Sequence, residues 1–138
     1  MYPQIQRVNA DVRAIGDALL NTQSIAVYES GLLSGGGIPV PQTGRVFLEN
    51  NANVTIGEFS IPVVPNSSSA TRFLVMIASR NADNPVSATV TFVAAGVRKL
   101  DKASGAWSAV GPVPSLRTIK TEVILAPGDA ELFSVLVR

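Results

Sequence analysis

The residues able to do chemistry are few, and their types restrict what that chemistry could be. The 138-residue chain contains neither histidine nor cysteine. Ser-His-Asp and Cys-His arrangements are thereby excluded, as are thiolate nucleophiles and nearly all zinc sites. An enzyme of this composition would depend on carboxylates, lysines or tyrosines. Asp129 and Glu131 flank the turn in "APGDAE", and Asp83 lies in "NADN". Glycoside hydrolysis needs two carboxylates facing each other across a cleft. Asp also bonds its own backbone in turns, and that role fits Asp83 and Asp129 better. Asn81, Asp83 and Asn84 offer oxygens to a cation, but not at the spacing of a full calcium loop. The glycines of "SGGGIP" lack the lysine and the following helix of a phosphate-binding loop. Trp107 is the single tryptophan; a sugar-binding platform could use it, although a lone Trp in a sandwich fits a core or interface position better. The expectation is a protein with no catalytic residue, no metal and no cofactor.

The elements that would position any site are mostly strands. Residues 4–24 are the exception. There Ile5, Val8, Val12, Ile15 and Leu19 are spaced 3, 4, 3 and 4 apart, an a/d stripe on one face of a helix. Asn9 or Asn21 could cap an end. A helix this short is marginal alone in water, so its stripe must dock, either on the chain's own sheet or on a neighbouring subunit. β-branched residues at both a and d lean toward three or more strands when such a seam forms.

From Ser24 the pattern changes. "SIAVYES" is a first strand. "GLLSGGGIPVPQTG" follows, with five glycines and two prolines in 14 residues. A connection of that length has a job or is a flexible crossover; as an arm, its candidate contacts are Leu32, Leu33, Ile38 and Val40. "GRVFLEN" and "EFSIPVV" are short strands, and "ATRFLVMIASR" fits a central strand covered on both faces. "VSATVTFVAAGV" alternates, with Ser87, Thr89 and Thr91 opposite Val86, Ala88, Val90 and Phe92. "KLDKASGAWSAVG" fits a hairpin with "DKASG" at its tip. "TIKTEVILA" and "AELFSVLVR", joined by "PGD", form a closing hairpin. About eight strands with regular turn signals predict a mainly β chain: a single antiparallel β-sandwich or jelly-roll-like domain with a short N-terminal amphipathic helix. The corresponding divisions are 1–23 for the helical segment, 24–43 for the strand and arm, and 44–138 for the β-domain.

Composition bears on partners. Apolar residues make up 46% of the chain and charged residues 15%, against roughly 25% charged in an ordinary domain. Such low charge suggests a surface partly covered by a partner. The net charge of +1 is spread without a basic run, which argues against nucleic acid. No apolar stretch approaches the ~20 residues of a membrane-spanning helix.

The second half, "FLVMIASRNADNPVSATVTFV" and "TEVILAPGDAELFSVLVR", is similar to bacterial and phage β-sandwich modules. Leu125, Ala126, Pro127, Gly128, Asp129 and Phe133 supply the final hairpin of that pattern, over about residues 70–138. The whole arrangement resembles the head decoration (cement) proteins of tailed bacteriophages in size, low charge, N-terminal arm and β-domain. That resemblance implies a structural virion protein without catalytic activity, a self-associating capsid-stabilising subunit that favours a trimer and contacts a capsid or other virion protein. It further implies assembly in the host bacterial cytoplasm. A tail or spike component and a carbohydrate-binding sandwich are the alternatives.

Overall fold

The computed structural model describes residues 13–31, 37–40, 45–61, 71–111 and 118–137. A short helix, α1 (residues 13–19), precedes nine strands. They are β1 (Gln23–Glu29), β2 (Val46–Leu48), β3 (Val54–Ser60), β4 (Thr71–Ser79), β5 (Val86–Val93), β6 (Gly96–Leu100), β7 (Trp107–Ala109), β8 (Thr118–Leu125) and β9 (Ala130–Val137). One sheet has the order β1-β3-β4-β9-β6-β7 and the other β2-β5-β8. Every neighbouring pair of strands is antiparallel.

The two sheets share one apolar core, because strand alternation sends every second side chain inward. Ile56, Phe73, Val75, Ile77, Phe133 and Val135 from the wide sheet meet Val86, Ala88, Val90, Phe92, Ile119, Val123 and Leu125 from the narrow one. Phe92 and Phe133 touch across the layers with ring centroids 5.3 Å apart and planes at 47°, a tilted contact that adds about 0.5–1.5 kcal/mol to the area it buries.

The wide sheet is apolar on its other face as well. Leu74, Leu100 and Leu132 are buried there, with Phe59, Met76 and Trp107 around them, and α1 lies on this cluster through Ala14, Ile15, Ala18 and Leu19. The helix therefore docks on the chain's own sheet through the described part of its stripe. It ends where Asn21 turns left-handed at φ 67°, a conformation Asn tolerates at a helix C-terminus. The Thr22 hydroxyl and amide both donate to the Leu19 carbonyl, at 2.7 and 3.0 Å. Among the described residues no helix is long and apolar enough to cross a membrane.

Three expectations are corrected. There are nine strands among the described residues, not about eight. The third lies at Val54–Ser60 and not at "EFSIPVV"; Gly57 interrupts its apolar alternation, and the Phe59 ring stands over that glycine, 3.1 Å from where a Cβ would be. The last two strands are not a hairpin. β8 pairs with β5, whereas β9 lies between β4 and β6, so the "PGD" turn crosses from one sheet to the other. The cause is patterning. β8 buries only alternate residues, while Leu132 to Val135 of β9 are all buried and need cover on both faces.

Candidate functional site

One group of charged residues lies where the β6–β7 hairpin tip, the β8–β9 turn and the chain leaving β4 converge. Asp101 shapes the hairpin tip. Its carboxylate accepts from the amides of Ala103 at 2.9 Å and Ser104 at 3.4 Å, and these bonds hold its pKa below the usual carboxylate range. Gly105 closes the turn at φ 76°. The tip carries Lys102 toward the start of β9. There its ammonium donates to Asp129 Oδ1 at 2.7 Å and to the Ala130 carbonyl at 2.8 Å, with Glu131 Oε1 at 3.7 Å. Lys99 approaches Glu131 from β6 at 3.8 Å. A cleft of about 540 Å³ is lined by these residues together with Asp101 and Ser108.

The chemistry of this cluster is that of a clasp. The Lys102 side chain is 11% exposed, with two acceptors in hydrogen-bond range and a second carboxylate close by, so its donors are engaged in holding the turn. Asp129 also takes a bond from the Ala130 amide at 2.8 Å, and its own carbonyl accepts from the Ser79 amide at 2.8 Å. The pair Asp129 and Glu131 thus ties a hairpin tip to the strand behind it. The turn role expected for Asp83 belongs to Asn81 instead, whose side-chain oxygen accepts from the Asp83 and Asn84 amides at 2.9 and 3.0 Å. That oxygen is committed to a turn. Among the described residues no group of three or more carboxylates is placed to hold a metal ion.

A second polar cluster lies where the chain leaves β1. Arg80 reaches the Ser30 carbonyl at 3.1 Å and Glu29 at 3.6 Å. Gly31 turns there at φ 81°, so close to the β2–β3 loop that a Cβ would lie 2.9 Å from Asn53 Cα. A third lies at the far end, where burial raises the Glu58 pKa and the Arg45 charge opposes the shift. Arg45 itself stacks 5.3 Å over the Phe73 ring.

Among the expected contact residues, Ile15 and Leu19 lie in the outer apolar cluster and Val40 packs on the main core. Ile38 is exposed, on a short segment held to β1 by the Glu29 amide bonding the Ile38 carbonyl at 2.7 Å. Ile5, Val8, Val12, Leu32 and Leu33 lie outside the described residues. Trp107 is half-buried against Leu100 and Leu132 rather than set out on a platform. Sequence reasoning missed the exposed apolar residues of the strands themselves. Ile25 and Val27 of β1 are 55% and 51% exposed, and Ile124 of β8 is 68% exposed. For Ile124 the signal was present, because it shares the polar parity of Lys120 and Glu122.

Comparison with protein-family models, with curated proteins and with solved structures gives no match for this chain.

Proposed function

We propose that the protein is a structural, self-associating subunit of a virion, a capsid decoration or stabilising protein that works through the surface it buries on its neighbours. The observation that carries this reading is the apolar exposure on strands at the margins of both sheets, at Ile25 and Val27 on β1 and at Ile124 on β8. Large apolar side chains left exposed at a sheet margin mark surface that another chain can cover, whether or not the strand itself pairs. Each gains by burial at roughly 25 cal/mol per Å² of apolar surface. The charged cluster fits the same reading, since its lysines and carboxylates are engaged with one another and stiffen a turn. Such a subunit would be assembled with the particle in the bacterial cytoplasm, and an assembly acts by many modest contacts made at once. The test is the mass of the purified chain in solution over a range of micromolar concentrations. A species heavier than one chain supports the reading. A monomer at every concentration overturns it.

A further inference from the structure

The two sheets have four margins, and they differ in kind. β2 and β7 are three residues each. β1 is broken by a bulge between Ser24 and Ala26, and near its end Glu29 is bridged by Pro39. Short, bulged or covered edges are the devices by which sheets avoid pairing with other chains. Among the described residues β8 shows none of these three, and its Lys120 and Glu122 deter pairing except with a strand that complements them. It runs eight residues, pairs with β5 without a register break, and among the described residues has no strand on its other side.

Its sequence, TIKTEVIL, is self-complementary in one register. Two copies of a strand related by a two-fold axis pair antiparallel, and their facing side chains share a sheet face only if the paired residue numbers add to an even sum. Centring the pair on Lys120 or on Glu122 sets like charges opposite each other, which destabilises. Centring it on Thr121 sets Lys120 opposite the second copy's Glu122 and Glu122 opposite the second copy's Lys120. In the same register Thr118 covers the exposed Ile124 of the other copy, and Ile119 faces Val123 on the core side, where both are buried in each copy.

We propose that β8 is a homodimer interface, an antiparallel β8–β8 seam centred on Thr121 that joins the three-stranded sheets of two copies into one six-stranded sheet. The contact is isologous, so each interaction occurs twice. Within one copy, Lys120 is 4.0 Å from Glu49, and Glu122 accepts from the Ser87 hydroxyl at 2.7 Å. These neighbours hold the two charges on the outer face, where the second copy would meet them. The proposal rests on the self-associating reading above and specifies its geometry.

The test is a charge swap read by sedimentation velocity. Lys120 and Glu122 are exposed, so K120E and E122K are expected to fold, with circular dichroism as the check. Each single variant replaces two attractive cross-strand pairs by two repulsive ones and should weaken the dimer by about tenfold or more. The double variant K120E/E122K restores the complementarity and should restore the dimer. In addition, T121C places the only cysteine of the chain at the axis, and mild oxidation should link two copies, because the Cα separation of facing antiparallel residues suits a disulfide. An oligomer indifferent to the single charge changes, or not recovered by the swap, overturns the β8 seam and leaves self-association standing. A monomeric wild type overturns both.

Discussion

At the scale of single residues, the conspicuous charges hold turns and strand ends together. Lys102 ties Asp129, the Ala130 carbonyl and Glu131 to the hairpin tip. K102M should therefore cost about 1–3 kcal/mol in chemical denaturation, because it leaves two carboxylates and a carbonyl short of a donor. Glu58 carries a pH signature. Its folded pKa is raised, chiefly by burial, so the folded state binds a proton more readily than the unfolded chain. The stability this group contributes is present below the unfolded pKa and is lost as pH rises through the folded one. E58Q should stabilise the protein at pH 7, and the difference from wild type should shrink as the pH falls through that window. Thermal melts at several pH values check this; a gain unchanged at acid pH would contradict it. At Gly31 the positive φ and the 2.9 Å approach to Asn53 predict a loss of about 1–3 kcal/mol for G31A, read from the same melts.

At the scale of elements, β8 and β9 show what two periodicities in one turn-linked pair mean. Val123 faces the core and Ile124 does not. V123T should cost about 1–3 kcal/mol by burying an unsatisfied hydroxyl, whereas I124T should change the unfolding free energy of the monomer by less than about 0.5 kcal/mol. Equal losses would contradict the assignment of faces. The alternation of "VSATVTFV" and the apolar run of "RFLVMIA" were legible because both faces of a strand are written into its period. The same logic applied to "AELFSVLV" marks a strand covered on both sides. The apparent hairpin signal of "PGD" outweighed that pattern, since turn chemistry says where a chain bends but not which sheet it enters. The heptad stripe was legible as a helix face. What it covers was not, because Leu74, Leu100 and Leu132 come from three distant strands. Of the candidate sites, Asp129 and Glu131 were visible from their turn, while Lys102 and Arg80 become clasp residues only through long-range packing.

At the scale of the whole molecule, two antiparallel sheets enclose one core and α1 covers part of the outer face of the wider sheet. What remains exposed and apolar lies in part at the sheet margins, and on the proposed function the protein works by joining other chains there. The most direct measurement is sedimentation equilibrium of the wild-type chain from low micromolar to about 100 µM. The proposed function predicts a mass that rises with concentration above that of one chain. A mass fixed at one chain across the range would contradict it.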